Sequence, residues 1–156
     1  MPAAFHDEVA EAYAAPVLSY PPPLSPGAAE AVRSLAARGL TLAIISNTGR
    51  TPGSVLRRVL ERHDLLRHFR VIIYSDEVGY RKPAPEIFRL TLERAGIRAH
   101  EAAHVGDNPV DDVMGAQAVG MRGVHYAAEG RSPADHADLT IESLGKLADA
   151  LFRVAS

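Results

Sequence analysis

The chain has 156 residues, of which 47% are apolar and 23% are charged, and its formal net charge is −2. This length fits one domain with a full hydrophobic core, and the composition is that of a globular protein rather than of a disordered tail, a collagen-like fibre or a basic nucleic-acid binder. Because the chain has no cysteine, disulfides, thiolate zinc sites, iron–sulfur clusters and cysteine nucleophiles are excluded.

The amino terminus does not resemble a secretory signal, since acidic residues stand where a signal has a basic start followed by an apolar run. No stretch approaches the length of about 18 apolar residues that a membrane span requires. These observations predict a soluble, cytoplasmic protein that has neither a membrane nor a nucleic acid as its partner.

Residues 1–25 are predicted to form an arm that precedes the folded core over residues 26–156. Phe5 to Ala14 has the spacing of a weakly apolar helix, and Ala15 to Pro26 is a proline-rich linker. Ser25 as N-cap and Pro26 as the first helical residue then mark the start of the first core helix.

Short apolar runs alternate with segments of helical periodicity through the core. The predicted order is helix Pro26–Gly39, strand Leu40–Ile45, helix Pro52–His63, strand Val71–Tyr74, helix Pro85–Ala95, strand Ala102–Val105, helix Val110–Val119, strand Gly123–Tyr126, a short edge strand Asp138–Ile141 and a last helix after Ser143. This alternation predicts an α/β fold, doubly wound and Rossmann-like, in which helices cover both faces of a mainly parallel sheet. Sites in such sheets lie beyond the carboxyl ends of the strands.

His100 to His104 matches the HExxH pattern of zinc proteases, which requires both histidines on one face of a helix. Gly96 ends the preceding helix only four residues before His100, and His104 leads into a strand. The segment is therefore predicted to be loop and strand. The common glycine-rich nucleotide-binding loops and the GxSxG nucleophile elbow are absent from the sequence.

Three strand ends carry side chains suited to phosphoryl chemistry. The first is followed by Ser46, Asn47 and Thr48, the second by a segment that contains Lys82, and the third by Asp107, Asp111 and Asp112. Hydroxyl and amide groups suit phosphate oxygens, and carboxylates suit Mg²⁺. Lysine is notable here because the chain has 15 arginines and only 2 lysines, which indicates that a compact ammonium is required. Solvated loop residues and helix capping are the structural alternatives.

These segments resemble three motifs of the haloacid dehalogenase superfamily of phosphohydrolases. LAIISNT resembles the second motif, GYRKPAPEIF the third and HVGDNPVDDVMGAQAVGM the fourth. The resemblance implies a phosphomonoesterase that uses Mg²⁺ and a small phosphorylated substrate. It implies that Ser46 binds phosphate, that Lys82 is catalytic with it, and that Asp107 binds the metal. Either Asp111 or Asp112 is the second acid.

The first motif of that family, DxDx[TV], does not occur in these 156 residues. In the family it supplies the nucleophile and follows a strand in the middle of the sheet, and the residues before Pro26 resemble instead the last helix of a cap domain. We therefore expect a chain that lacks this strand and most of the cap, whether as a natural short protein or a fragment. The open sheet would be covered either by Pro16 to Tyr20 (PVLSY) or by a second subunit in a homodimer.

Three functions follow as hypotheses. The first is a phosphatase with weak or incomplete activity, and the second is a catalytically inert module that binds phosphate or a partner. The third is a phosphoacceptor receiver domain, which has the same fold class but places its acidic pair early and its lysine late. That order disagrees with the present sequence, in which the acids come last.

Overall fold

The computed structural model describes Glu8, Ala12, Ala14 and residues 16–154. Strands and helices alternate along the core, as predicted. The helices are α1 (Ala28–Ala37), α2 (Gly53–Arg62), α3 (Ser75–Val78), α4 (Pro85–Ala95), a π-helix (Pro109–Met114), α5 (Gly115–Gln117) and α6 (Leu147–Val154); the strands are β1 (Leu42–Ser46), β2 (Phe69–Tyr74), β3 (Ala103–Gly106), β4 (Arg122–Tyr126) and β5 (Leu139–Ile141).

All strand pairs in the described residues are parallel, and they form two separate groups. β1 pairs with β2, whereas β3, β4 and β5 form a three-stranded sheet with β4 in the middle. Parallel pairs need crossover connections, which helices provide between β1 and β2 and between β3 and β4, whereas an irregular loop joins β4 to β5. The fold is thus the predicted Rossmann-like α/β fold, with its sheet divided between β1 and β3.

Helices cover both faces of the strands. On one face, Ile45 and Ile73 pack with Ile87 and Phe88 of α4 and with Ala116 of α5. On the other face, a second cluster joins α1 and α6 to the strands through Leu35, Leu42, Val105, Val124 and Leu147. Strands that are covered on both faces are short, nearly continuous apolar runs in the sequence, and for this reason they could be predicted from it.

The arm differs from its prediction. The proposed helix Phe5 to Ala14 lies largely outside the described residues, but residues 16–19 are helical. Leu18 is buried against Val55 and Val59 of α2. The prediction that PVLSY fills the open sheet as a strand is therefore wrong, because this segment is bound as a helix to the surface of α2.

The first core helix begins at Ala28 instead of Pro26, and its N-cap is Gly27 instead of Ser25. Gly27 has a φ of +78°, and a Cβ atom there would lie 2.5 Å from the backbone nitrogen of Gly145. Glycine is therefore needed for both its backbone angle and its small size. A cap at Ser25, two positions earlier, would not supply the positive φ and the close approach to Gly145 that this turn requires.

None of the described helices is both long and apolar enough to cross a membrane.

Candidate functional site

The loops after β1, β2 and β3 meet at the carboxyl edge of the strands. Asn47, directly after β1, accepts a hydrogen bond from the Lys82 backbone N–H at its Oδ1 over 2.7 Å. Its Nδ2 donates to the Lys82 carbonyl oxygen over 3.0 Å. The Asn47 side chain thus binds both backbone polar groups of Lys82 and fixes the loop that carries this lysine.

The Lys82 ammonium is directed at Asp112. Its Nζ atom donates to Asp112 Oδ1 over 2.6 Å, and the side chains are only 12% and 5% exposed, respectively. A charge pair with so little solvent access is held by direct contact, and loss of one partner leaves the other charge buried. Lys82 lies in the loop before α4 and Asp112 in the π-helix, 30 positions further along the chain.

Asp112 has two further partners. His104 Nε2 lies 3.0 Å from Asp112 Oδ1, and the Asn108 backbone N–H donates to Oδ2 over 3.0 Å. Burial by itself would raise the pKa of the Asp112 carboxyl, but the hydrogen bonds from His104, Lys82 and the Asn108 amide outweigh burial and hold this pKa below its ordinary value. Asp112 is therefore ionised in the folded protein, and its carboxylate contacts Lys82, His104 and the Asn108 amide.

The local backbone explains why Asp112, and not Asp111, points inward. Asn108 caps the π-helix by accepting hydrogen bonds from the backbone N–H groups of Val110 and Asp111. Its carbonyl accepts from Asp112 N–H over 2.9 Å and from Val113 N–H over 3.4 Å. The predicted helix Val110–Val119 is thus a π-helix followed by the short α5, and π-turns of this kind are common at functional sites.

Asp107 lies at the end of β3 and presents its carboxylate to solvent. Its side chain is 65% exposed, and the Arg131 guanidinium Nη1 lies 3.8 Å from its Oδ2. Within the described part of the chain, no group of three or more histidine, aspartate or glutamate side chains is close enough to hold a metal ion. The donor type nevertheless fits Mg²⁺, which is commonly bound by one or two carboxylates while water and phosphate oxygens supply the other ligands.

Thr48 is hydrogen-bonded to residues of α3. Its backbone N–H donates to Ser75 Oγ over 2.9 Å, and its hydroxyl donates to Asp76 Oδ1 over 2.8 Å. Asp76 Oδ2 also accepts from the Gly53 backbone N–H over 3.0 Å. The structure therefore brings Asn47 into contact with Lys82, whereas Thr48 joins the end of β1 to α3. Ser46 is the last residue of β1.

Sequence reasoning missed three residues of this arrangement. Ser75 and Asp76 follow β2 directly, which is the position at which polar side chains after a parallel strand are informative. His104 lies inside β3, where its ring packs edge to face against Phe88 with a centroid distance of 5.2 Å. Residues 99–101 form a short 3₁₀-helix before β3, so the predicted loop-and-strand reading of the HExxH match is confirmed.

The lowered pKa of Asp112 predicts how stability responds to acid. In metal-free buffer, the free energy of unfolding of the wild-type chain should fall as the pH is lowered below about 4, because the unfolded Asp112 carboxyl takes up a proton there while the folded one resists it. Urea unfolding between about pH 5 and about pH 2 should show a shallower loss for Asp112→Ala than for the wild type.

Other carboxyls contribute equally to the pH dependence of the unfolding free energy in the wild type and in Asp112→Ala. The hydrogen bond from Arg98 lowers the pKa of Glu101 to about 2, and the hydrogen bond from the Gly123 amide lowers the pKa of Asp138. Parallel curves for Asp112→Ala and the wild type would show that Asp112 is not held as a stabilised carboxylate.

Comparison with known proteins bears on the family and on the fold. A sequence model of the haloacid dehalogenase-like hydrolases matches residues 3–120. The phosphoserine phosphatase of Thermus thermophilus is 39% identical over 128 residues, which are 82% of this chain and 49% of that protein. The ribulose-1,5-bisphosphate 5-phosphatase of Halopiger xanaduensis is 35% identical over 136 residues, which are 81% of this chain and 56% of that protein.

Solved structures agree. The HAD phosphatase of Thermococcus onnurineus superposes with a TM-score of 0.80 at 33% identity, over 89% of this chain and 64% of that one. The 2-haloacid dehalogenase of Pseudomonas syringae gives a TM-score of 0.70 at 32% identity, over 85% of this chain and 54% of that one. The chain spans about half the length of the curated relatives described above. It belongs to the haloacid dehalogenase-like hydrolase family.

Proposed function

We propose that this chain carries the phosphate-binding and metal-binding side of a phosphomonoesterase, and that it acts on a small phosphorylated substrate. The observation that carries the proposal is the buried contact of Lys82 with Asp112, placed between the loop of Asn47 and the exposed carboxylate of Asp107. A fixed ammonium at this edge provides charge neutralisation for a phosphoryl group, which is the main requirement of phosphoryl transfer.

Each residue has a distinct task in this proposal. The Ser46 hydroxyl, an Asn47 amide and the Lys82 ammonium bind phosphoryl oxygens. The Asn47 side chain also sets the position of Lys82 through its two backbone hydrogen bonds. Thr48, which sequence reasoning placed among the phosphate ligands, braces this loop through Ser75 and Asp76, because its amide and hydroxyl donate to them.

Asp107 would hold Mg²⁺, and Asp111 is the better second acid of the adjacent pair. Both Asp112 oxygens already accept hydrogen bonds from described groups, whereas the Asp111 side chain accepts none from the part of the chain that the structure describes. Bound Mg²⁺ would neutralise phosphate charge and lower the pKa of a coordinated water. Asp112 then serves the site by orienting Lys82.

The relatives support the reaction class. One of them is a phosphoserine phosphatase, another is a ribulose-1,5-bisphosphate 5-phosphatase, and a third, from Escherichia coli, is a phosphoglycolate phosphatase. The substrates in their names differ from one another while sharing the phosphomonoester group. We therefore extend only the phosphomonoester class to this chain.

The second candidate is an inert module that binds phosphate or a partner without turnover. It is favoured by one observation, the absence of a DxDx[TV] segment from the 156 residues, because the resemblance assigns the nucleophile to that segment. Positioning and charge neutralisation can still leave measurable catalysis when a nucleophile is missing. The two candidates thus differ in turnover and share the binding site.

The test is hydrolysis of para-nitrophenyl phosphate with and without Mg²⁺, on protein purified to constant specific activity. We expect weak, Mg²⁺-dependent hydrolysis, which Lys82→Ala and Asp107→Asn each reduce by about 100-fold, the size of effect seen when one stabilising donor is removed. Matched controls are Lys146→Ala, the second lysine of the chain, and Asp135→Asn, an exposed acid, and both should retain wild-type rates.

The outcomes separate the candidates. Activity that survives Lys82→Ala and Asp107→Asn unchanged would come from another site or from a contaminating phosphatase, and it would contradict the proposal. Absence of activity, together with saturable calorimetric binding of inorganic phosphate that Lys82→Ala abolishes, would favour the inert module. Circular dichroism of each variant checks that the fold is kept.

A further inference from the structure

One oxygen of Asp112 binds two side chains that come from different elements. His104 Nε2 lies 3.0 Å from Asp112 Oδ1, the same oxygen that accepts the hydrogen bond from Lys82 Nζ over 2.6 Å. The pKa of the Asp112 carboxyl lies below its ordinary value, so the carboxylate is ionised and only accepts hydrogen bonds. His104 therefore donates to Asp112 through its Nε2–H group.

His104 reaches Asp112 because of its place in β3. Side chains alternate between the two faces of a strand, so residues 104 and 106 lie on one face, while Val105 packs on the other face in the cluster around α1 and α6. Gly106 has no side chain, and a Cβ atom there would lie 2.1 Å from Asp112 Cγ. The Asp112 carboxylate therefore occupies the space over Gly106, within hydrogen-bond distance of the His104 ring.

The His104 ring is itself held by Phe88 of α4. The two rings pack edge to face, with a centroid distance of 5.2 Å and an interplanar angle of 88°. Phe88 is fully buried, and the His104 side chain is only 11% exposed. A ring with so little free space around it keeps its Nε2–H group directed at Asp112.

The position of the Lys82 ammonium depends on Asp112. Asn47 binds the backbone of Lys82, but the side chain beyond the backbone is a long, flexible stem. Within the described residues, Asp112 Oδ1 is the one acceptor to which Lys82 Nζ donates. The Asn108 amide holds only the other oxygen of Asp112, so a second bond is needed to stop the carboxylate from turning Oδ1 away from Lys82.

We propose that His104 is a positioning residue, whose Nε2–H group holds Asp112 Oδ1 in the orientation that fixes the Lys82 ammonium for a phosphoryl group. An ammonium has three N–H donors, and Asp112 takes one of them, which leaves two for phosphoryl oxygens. The connection with phosphate rests on the proposed function, whereas the connection of His104 with Lys82 rests on the contacts alone.

The experiment is NMR spectroscopy of the full chain labelled with ¹³C-lysine, because the chain has only two lysines, Lys82 and Lys146. The two ε-methylene protons of a lysine have separate chemical shifts when the side chain is fixed and one averaged shift when it rotates freely. We expect separate shifts for Lys82 and an averaged shift for Lys146, which is exposed. A Lys146→Arg variant assigns the two signals.

Substitutions at His104 then test its bond to Asp112. His104→Phe and His104→Leu lack the donor, so the ε-proton shifts of Lys82 should merge, whereas His104→Gln should keep them separate, because its side-chain amide can donate to Asp112. The matched control is His100→Phe at the exposed first histidine of the HExxH match, which should leave the Lys82 shifts unchanged. Circular dichroism checks the fold, and either donorless variant alone is sufficient.

Three NMR results would overturn the proposal. The first is a merged Lys82 signal in the wild type, which would show that the ammonium is not fixed. The second is a Lys82 signal that stays separate in the folded donorless variants, which would show that Asp112 holds Lys82 without His104. The third is a merged signal in His104→Gln, which would show that the donor is not what His104 contributes.

Calorimetric titration with inorganic phosphate tests the connection with the site. We expect His104→Phe to bind phosphate about tenfold more weakly than the wild type, and His104→Gln to bind it like the wild type. Equal phosphate affinity of the wild type and His104→Phe would contradict a role of His104 in phosphate binding. A wild type that binds no phosphate would contradict the proposed function, and the NMR signals of Lys82 would still decide whether His104 positions this lysine.

Discussion

Asp112→Ala is expected to lower the free energy of unfolding by about 3 kcal/mol or more, because removal of one partner leaves the Lys82 ammonium buried without its countercharge. The same change also deprives His104 Nε2 and the Asn108 amide of their acceptor. Urea unfolding at neutral pH measures the effect. The matched control is Asp111→Ala at the adjacent position, which should change stability by less than about 0.5 kcal/mol.

A double-mutant cycle separates the ion pair from the rest of the network. The cost of Asp112→Ala should shrink by about 1–3 kcal/mol in a Lys82→Met background, since the buried ammonium is no longer there to be left unpaired. It should not vanish, because the bonds to His104 and Asn108 are still lost. Equal costs in both backgrounds would show that Lys82 and Asp112 do not act together, and equal costs for Asp111→Ala and Asp112→Ala would contradict the geometry.

The order of elements was predictable because each element has its own local signal. Strands such as β2 are short apolar runs, and helix α4 starts with Pro85 and is followed by Gly96 in the left-handed conformation. The strand-end rule then gave Lys82, Asp107 and the acidic pair, since a parallel sheet brings all carboxyl ends to one edge. These predictions needed only the pattern of each segment and the general behaviour of parallel sheets.

The contacts inside the site could not be predicted, because they depend on small rotations that sequence does not encode locally. Asp111 and Asp112 are adjacent acids of equal chemistry, and only the π-turn over Asn108 directs one of them to Lys82. The bonds of Asn47 to the Lys82 backbone join positions 35 residues apart. The sequence predicts only that His104 is a strand residue, because its partner, Asp112, lies on another element.

The division of the sheet bears on the expectation about the missing motif, which remains a prediction. That expectation is an absent strand in the middle of the sheet, and in the described residues the strands form two groups, β1 with β2 and β3 with β4 and β5. The choice of PVLSY as a cover was wrong, because apolar residues in a short segment suit a helix on α2 as well as a strand. Periodicity cannot separate these alternatives over five residues.

Gly106→Ala is expected to destabilise the chain by about 3 kcal/mol, through a collision with the side chain of Asp112. A Cβ atom on residue 106 would lie 2.1 Å from Asp112 Cγ and 2.2 Å from Oδ2, so the carboxylate must leave Lys82 and the Asn108 amide. Gly49→Ala is the matched control, because a Cβ atom there meets nothing within 4 Å, and its stability should stay near that of the wild type. In an Asp112→Ala background the cost of Gly106→Ala should be clearly smaller, since the colliding carboxylate is gone. Urea unfolding of the four proteins measures this coupling, and a Gly106→Ala variant as stable as Gly49→Ala would show that the strand end relaxes and that the close approach of Gly106 does not hold Asp112 in place.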